Sequence, residues 1–283
     1  MITTEPVLAA HGLTKRYRGV TALDDCTFTL PAGGVIALVG ANGAGKSTLM
    51  GIVSGMVRPT AGEYRVGGRV VLLSQDKPLY RGFSVADMLT FGRHTNQVWD
   101  QRRALDWLER FAVPLDRRCD KLSGGQQAQV ALAVALGACP SLLLLDEPLA
   151  NLDPVARKAV TGELLGEVAE TGMTVLLSTH VVAELAGVGD HLLLLSHGRS
   201  ILDGDTEDLL AEHLRLTGPR AERPPVDGEV VHRSHTARQS TFVVRSLLGA
   251  ATPLDAPGWT SHPVTLEDIV LAYLRTSLEE TGS

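Results

Sequence analysis

The chain has 283 residues, of which 44% are hydrophobic and 20% are charged, and this apolar content excludes a disordered chain. Its formal net charge of −6 lacks the basic surplus with which tight nucleic-acid binders displace phosphate counterions, so no nucleic-acid partner is expected. No stretch approaches the roughly 20 apolar residues of a membrane span, and the start shows no signal-peptide pattern. The three cysteines form no CxxC pair, so neither disulfides nor a cysteine zinc site is expected. We therefore predict a soluble protein of a reducing compartment.

The first 210 residues alternate short apolar runs with amphipathic stretches, which is typical of a mostly parallel sheet covered by helices. The segments Val7–Tyr17 and Leu23–Leu30 come first and predict antiparallel strands. Helices are predicted at Ser84–Gly92, at Asp100–Phe111 and from Asp153-Pro154 onward, each behind a capping residue. The apolar runs that predict buried strands are Val35–Val39, Val70–Leu73, Leu142–Leu145, Thr174–Leu177 and Leu192–Leu195.

A change in composition follows this alternating region. Three prolines and mixed charge predict a linker at 216–228. Beyond it, Glu229–Val231 and Thr241–Arg245 predict strands and Leu266–Arg275 predicts a closing helix. We therefore expect a small α+β unit at 229–283.

The segment Gly40–Ser47, GANGAGKS, matches the phosphate-binding pattern GxxxxGK[ST]. It lies between a predicted strand and a predicted helix at Lys46–Val53, where the backbone N–H groups of such a turn can point at phosphate oxygens. Lys46 would reach the β- and γ-phosphates and Ser47 would ligate Mg²⁺; the alternative is a glycine-rich turn without function. The candidate nucleotide-binding residues here are Gly40, Ala41, Asn42, Gly43, Ala44, Gly45, Lys46, Ser47 and Thr48.

Two carboxylates, Asp146 and Glu147, follow the apolar run that ends at Leu145. Open parallel sheets bind ligands at the carboxyl ends of their strands, so the pair lies where a ligand would bind. Asp146 fits a Mg²⁺ ligand, and Glu147 fits a general base or a residue that positions water. Taken alone, the same pair could simply begin a loop and cap a helix.

The segment Leu122–Gln126, LSGGQ, predicts a second phosphate site. Ser123 would cap a helix that runs through Gly137, and Gly124 and Gly125 would leave its first N–H groups open to a phosphate. A second phosphate site is explained if it serves the nucleotide bound to another copy of the chain.

With these motifs in this order, roughly residues 5–210 resemble the ATP-binding subunits of ABC (ATP-binding cassette) transporters. The resemblance implies an α/β fold with a P-loop NTPase core of mostly parallel sheet, an N-terminal antiparallel β subdomain and a helical subdomain. It places an ATPase domain at 1–215, with the helical insert at about 76–140 and a small C-terminal α+β appendage behind it. The family motifs are Walker A at Gly40–Ser47, the signature at Leu122–Gln126 and Walker B at Leu142–Glu147.

The resemblance also implies roles for residues that mean little by themselves. Tyr17 lies where the family's aromatic residue stacks on adenine, Gln75 where a catalytic glutamine contacts the metal, and His180 where a histidine meets the γ-phosphate. Tyr17 could instead be an ordinary strand aromatic, and His180 a helix cap. Asp153, in the D-loop Asn151–Asp153, would serve both as a nucleotide-site residue and as a helix cap. The residues implied to contact the ATP of a second copy are Ser123, Gly124, Gly125 and Gln126.

Two segments depart from the family pattern. Gln127-Ala128-Gln129 stands where relatives usually carry one or two basic residues, so we expect the hydrolysis rate or the helix packing to differ. The stretch from Lys46 to Gln75 is short, which predicts that the antiparallel strands there are trimmed.

The function implied by the resemblance is ATP hydrolysis with Mg²⁺ that drives a separate polytopic membrane permease. Two copies would pair head to tail as a homodimer, on the cytoplasmic face of the cell membrane. The tail Val264–Val270 resembles the SLEDVF ending of bacterial ATPases that export drugs, antibiotics or lipids, although it could be only a capped terminal helix. The alternatives are an importer ATPase and a cytosolic cassette protein that acts in translation or DNA repair.

Overall fold

The structure is a computed structural model, and it describes residues 5–76, 79–148, 152–179, 187–246 and 256–281. Its central element is a six-stranded sheet in the order β5-β6-β7-β3-β8-β9, parallel except for β9 at one edge. All five predicted apolar runs lie in these strands, which confirms the mostly parallel sheet. The strands are β3 (Gly34–Val39), β5 (Val70–Leu73), β6 (Leu142–Asp146), β7 (Thr174–Thr179), β8 (His191–Ser196) and β9 (Arg199–Asp205).

The apolar runs are continuous because both faces of this sheet are covered. Successive residues of a strand point to opposite faces, so Leu143 and Leu145 of β6 enter one core while Leu142 and Leu144 enter the other. The first core includes residues of the helical insert, and the second includes the N-terminal strands.

The N-terminal strands form a separate antiparallel sheet in the order β2-β1-β4. It contains β1 (Leu8–Tyr17), β2 (Val20–Leu30) and β4 (Ala61–Val66), which confirms the predicted antiparallel pair. Residues 54–69, all of them described, contain β4 as their one strand, and the trimming of the stretch from Lys46 to Gln75 relative to the family stays a prediction.

The predicted helices are present and begin at their predicted caps. Ser84, Asp100 and Ser123 each accept a hydrogen bond from a backbone N–H group of the first turn, and Asp153 caps the next helix in the same way. These helices and the one after the phosphate loop are α1 (Lys46–Val53), α2 (Val85–Thr95), α3 (Gln101–Arg110), α4 (Gly124–Gly137) and α5 (Pro154–Thr171).

The C-terminal part contains a four-stranded antiparallel sheet, β11-β12-β10-β13, packed against a final helix. The predicted linker at 216–228 is wrong at its start, because residues 216–219 belong to β10: all four pair with β12, and residues 216 and 217 pair with β13 as well. Leu214 and Leu216 are buried beside Phe242, and this burial explains why β10 extends into the predicted linker. The prolines of the predicted linker begin only at Pro219, the last residue of the strand. Whether this part is a separate domain stays a prediction. Its elements are α6 (Thr206–Glu212), β10 (His213–Pro219), β11 (Glu229–His235), β12 (Gln239–Arg245), β13 (Thr260–Pro263) and α7 (Leu266–Thr281).

Among the helices that the structure describes, none combines the length and the apolar character needed to cross a membrane.

Candidate nucleotide-binding site

The predicted motifs meet at the carboxyl edge of the central sheet. The phosphate loop follows β3, the two carboxylates end β6, and Gln75 lies in the turn after β5. Strand β7 lies between β3 and β6, and its Ser178 pairs in register with Asp146. Parallel strands therefore bring residues about a hundred positions apart in the sequence to one edge.

Glycines of the phosphate loop are required by close backbone contacts. Gly45, with φ of 107°, is the N-cap of α1, and a Cβ atom there would lie 2.5 Å from the carbonyl oxygen of Ala22. A Cβ atom on Gly40 would lie 2.5 Å from the carbonyl oxygen of Leu195. Since such distances are sterically forbidden, only glycine at these two positions lets the loop pack against the N-terminal sheet and β8.

Lys46 places a buried positive charge beneath the phosphate loop. Its side chain is 7% exposed, and its Nζ donates to the carbonyl oxygens of Gly40 (2.7 Å) and Ala41 (3.2 Å). Burial lowers the pKa of Lys46, and the nearby carboxylates of Glu147 and Asp146 oppose that shift. The outer residues of the loop are exposed, whereas its cation is largely shielded from water. This arrangement is suited to binding an anion such as a phosphate chain.

The outer residues of the phosphate loop are open to a ligand. Ala41, Asn42, Gly43 and Ser47 are exposed, whereas Thr48 is half-buried in the first turn of α1. The loop therefore presents its backbone outward while its lysine lies behind it.

Ser178 orients both carboxylate residues. Its Oγ donates to Oδ1 of Asp146 at 2.7 Å and accepts from the backbone N–H of Glu147 at 3.0 Å. Glu147 adopts a left-handed backbone with φ of 47°, a conformation that costs an ordinary residue about 1 kcal/mol. The sequence predicted both carboxylates but not the role of Ser178; its only signal was a hydroxyl at the end of an apolar strand.

The residues at this edge fit a magnesium ion. The structure supplies a half-buried carboxylate held by Ser178 and the exposed hydroxyl of Ser47. The described residues contain no group of three or more metal-binding side chains. A carboxylate and a hydroxyl fit Mg²⁺, which binds through one or two carboxylates together with substrate phosphates.

The signature segment begins α4 as predicted. Ser123 Oγ accepts from the N–H of Gln126, while the Gln126 side chain accepts from the N–H of Ser123, both at 3.2 Å. This reciprocal cap leaves Ser123 and Gly124 exposed at the helix N-terminus, and the space around a Cβ atom on Gly124 is open. The segment therefore presents free helix N–H groups, as an anion site requires.

The glutamines that depart from the family pattern serve structural contacts. Gln127 Nε2 donates to the carbonyl oxygens of Cys119 and Leu122, both at 3.2 Å, and so ties α4 to the turn before the signature. Gln129 is 5% exposed, and its Oε1 accepts from Nε1 of the fully buried Trp107 at 2.9 Å. Both glutamines therefore take part in the packing of α4, and a difference from relatives in helix packing or hydrolysis rate stays a prediction.

The remaining predicted residues have mixed outcomes. Tyr17 ends β1, is 46% exposed, and has Lys15 Nζ 4.9 Å from its ring centroid. Gln75 is exposed, while Asp153 caps α5 through the N–H groups of its first turn. The nucleotide contacts of all three stay predictions. His180 and Asn151 lie outside the described residues.

The comparisons with known proteins agree with this arrangement. The family model described as ABC transporter matches residues 23–150, and a model described as AAA domain, putative AbiEii toxin, Type IV TA system, matches residues 117–186. The chain is similar to the Nod factor export ATP-binding protein I of Rhizobium leguminosarum bv. viciae, with 34% identity over 95% of each chain. The chain belongs to the ATP-binding cassette family of transporter ATPases.

Import proteins are also similar to this ABC protein. The phosphonates import ATP-binding protein PhnC of Bradyrhizobium diazoefficiens is 33% identical over 74% of the chain and 88% of its own length. The molybdenum import ATP-binding protein ModC of Mycobacterium tuberculosis is 36% identical over 70% of the chain. That match spans 59% of the length of ModC, so the chain covers about three fifths of this relative.

Solved ABC structures share the fold. An ATP-binding subunit of an ABC transporter superposes with a TM-score of 0.65 at 26% identity, covering 72% of the chain and 91% of that subunit. The cbiO1 protein of Clostridium perfringens, part of the cbiONQ transporter complex, gives a TM-score of 0.63 at 27% identity. The match covers 74% of this chain and 92% of the cbiO1 chain.

Proposed function

We propose that this chain is the ATP-hydrolysing subunit of an ABC exporter. The observation that carries the ATPase proposal is the placement of Lys46 near Asp146 and Glu147 at one sheet edge, with Ser178 orienting the carboxylates. A buried cation beside two fixed carboxylates can hold a triphosphate and direct water at its terminal phosphorus.

Each residue has a defined part in this mechanism. The phosphate loop N–H groups and Lys46 bind the β- and γ-phosphates, and Glu147 orients the attacking water and accepts its proton. Asp146 and Ser47 would hold Mg²⁺, together with Gln75, and the ion supplies charge neutralisation at the phosphates when bound. Tyr17 would stack on the adenine, and His180 would contact the γ-phosphate.

The exposed signature N-terminus supports a head-to-tail homodimer. Ser123, Gly124, Gly125 and Gln126 would contact the γ-phosphate of ATP held by the phosphate loop of the other copy, with Asp153 at the shared boundary. ATP then closes the dimer and hydrolysis reopens it. A separate polytopic permease would convert that motion into transport, which places this subunit on the cytoplasmic face of the membrane.

Export is favoured over import by the extent of the similarity. The Nod factor export relative matches over 95% of this chain, whereas the importers PhnC and ModC match over 74% and 70% of it. The tail at Val264–Val270 supports the same direction. Its cargo would be a drug, antibiotic, lipid or similar molecule. The similarity to importers keeps an importer ATPase as the second candidate, and the transporter relatives disfavour a role in translation or DNA repair.

The ATPase proposal is tested with the purified chain and two variants. We expect wild-type protein to hydrolyse Mg-ATP, and Glu147→Gln to bind ATP, lose hydrolysis by about a hundredfold or more, and elute as a dimer with ATP. Lys46→Ala should lose ATP binding and remain monomeric. Absence of both ATP binding and hydrolysis in the wild type would refute the proposal.

The direction of transport needs the native membrane. The chain should co-purify with a polytopic protein after detergent extraction, and inside-out vesicles carrying the pair should accumulate cargo when supplied with ATP. ATP-dependent accumulation only in right-side-out vesicles would establish the importer instead.

A further inference from the structure

Helix α7 contacts both the central sheet and the C-terminal sheet. Ile269 and Val270, both fully buried, share a core with Leu194 of β8. Ala272 of the same helix packs with Val231 of β11. A change in the position of this helix therefore affects both sheets.

In the last turns of α7, the neighbouring residues Thr276 and Ser277 hydrogen-bond to different sheets. Thr276 Oγ1 donates to the carbonyl oxygen of Val231 in β11 at 2.6 Å. Ser277 Oγ donates to Oγ of Ser196, the last residue of β8, at 2.8 Å. Ser196 is 6% exposed, so water has little access to this second bond.

The turn that follows β8 contacts the phosphate loop directly. His197–Gly198 has φ of 49° and 78°, the left-handed pair typical of a tight two-residue hairpin turn, and leads into β9. Gly198 N–H donates to the carbonyl oxygen of Ala44 at 3.1 Å. The carbonyl oxygen of Leu195 lies where a side chain on Gly40 would have to be. The phosphate loop is therefore in contact with the end of β8 at Gly40 and with the β8–β9 turn at Ala44.

We propose that Ser277 is a positioning residue for the ATP site, acting through Ser196 and the β8–β9 turn on the phosphate loop. This inference rests on the proposed function, since it takes the loop to bind ATP. The hydrogen bond holds the end of β8, and the turn holds the loop in the shape that phosphate requires. Loss of this bond leaves the buried hydroxyl of Ser196 without the Ser277 donor and makes the β8–β9 turn less rigid. ATP then binds less tightly, while the chemical step is unaffected.

The test measures ATP affinity and steady-state kinetics of the full-length protein with Mg-ATP. For Ser277→Ala we expect Kd and KM for ATP to rise about three- to tenfold, with kcat changed less than about twofold. Ser277→Thr keeps the hydroxyl and should keep the wild-type affinity. Thr276→Ala is the matched control, because it removes the neighbouring bond to β11 and should leave the ATP affinity unchanged.

A double-mutant cycle locates the effect. Ser196→Ala should weaken ATP binding as Ser277→Ala does, and the double variant should be no weaker than either single variant. Unchanged affinity in Ser277→Ala, or an equal loss in Thr276→Ala, overturns the positioning role while the ATPase proposal stands. A wild-type protein that binds no ATP overturns both.

Discussion

At the residue scale, the proposed ATP site depends on groups whose conformation or charge is unfavourable in isolation. Lys46 is buried with a lowered pKa, and Glu147 has a left-handed backbone. Both are stabilised by their neighbours, Lys46 by two loop carbonyls and Glu147 by the hydroxyl of Ser178. Such local costs are typical of sites arranged for a ligand that compensates them.

Ser178→Ala tests how far carboxylate orientation matters. Removing the hydroxyl frees Asp146 to rotate, so we expect kcat to fall about tenfold and the Mg²⁺ concentration for half-maximal activity to rise. Mg²⁺ titrations of the ATPase rate measure both effects. Ser54→Ala, which removes a hydroxyl bonded to the Gly51 carbonyl near the end of α1, should leave the Mg²⁺ dependence unaltered. An unaltered Mg²⁺ dependence in Ser178→Ala would count against the orienting role.

Gly45→Ala tests the steric requirement of the phosphate loop. The new Cβ atom would collide with Ala22 and force a positive φ on alanine, so we expect a loss of about 1–3 kcal/mol in the free energy of unfolding and at least about tenfold weaker ATP binding. Thermal unfolding and nucleotide titration provide the two measurements. Gly162→Ala, at an open position within α5, should be neutral or slightly stabilising. Equal behaviour of the two variants would contradict the steric argument.

At the element scale, α4 links the signature to the hydrophobic core of the helical insert. Its first turn is exposed and capped, whereas its next turn is anchored by Gln127 and Gln129. The neutral amides at these two positions thus make polar contacts within the protein.

Alanine substitutions of Gln127 and Gln129 should have different effects on stability and on the ATPase rate. Gln129→Ala leaves the indole N–H of Trp107 without its partner in the core, so we expect the free energy of unfolding to fall by about 1–3 kcal/mol. Gln127→Ala frees carbonyls in the turn before the signature and should lower the ATPase rate more than the stability. Urea denaturation and ATPase assays separate the two effects. Similar stability losses in both variants would refute this division.

At the scale of the whole molecule, the helical insert exposes an aromatic surface formed by Tyr80, Phe83 and Phe91. The ring centroid of Tyr80 lies 5.1 Å from that of Phe83 and 4.9 Å from that of Phe91, and Tyr80 is 52% exposed. Tyr80 and Phe83 follow the candidate site residue Gln75 closely in the chain. If the proposed permease binds this chain, we expect it to dock here, because exposed aromatic clusters are typical of interaction sites.

Substitution of this aromatic surface should separate docking from catalysis. For the double variant Tyr80→Ser/Phe83→Ser we expect at least about tenfold less co-purified polytopic protein, with the basal ATPase rate of the isolated subunit unchanged. Val20→Ser replaces a 62% exposed apolar residue of β2 and serves as the control. Undiminished co-purification of the double variant would place the permease contact elsewhere.

Much of this architecture is encoded locally. The apolar runs predicted the central strands, and the capping residues Ser84, Asp100 and Ser123 predicted where helices begin, because strand burial and helix capping depend on neighbours in sequence. The phosphate loop and the carboxylates after β6 were predictable for the same reason. The linker prediction failed at Leu216, whose burial comes from Phe242 across a sheet that short-range patterns cannot indicate.

The tertiary structure alone decided which distant residues support those motifs. Ser178 meets Asp146 across 32 residues, and Ser277 meets Ser196 across 81, through single hydroxyl groups that have no pattern in sequence. The sequence by itself determined which residues form the proposed ATP site, since they lie in contiguous motifs. The alignment of those motifs depended on strand order and helix packing, because hydrogen bonds between distant segments form only after the chain has brought them together.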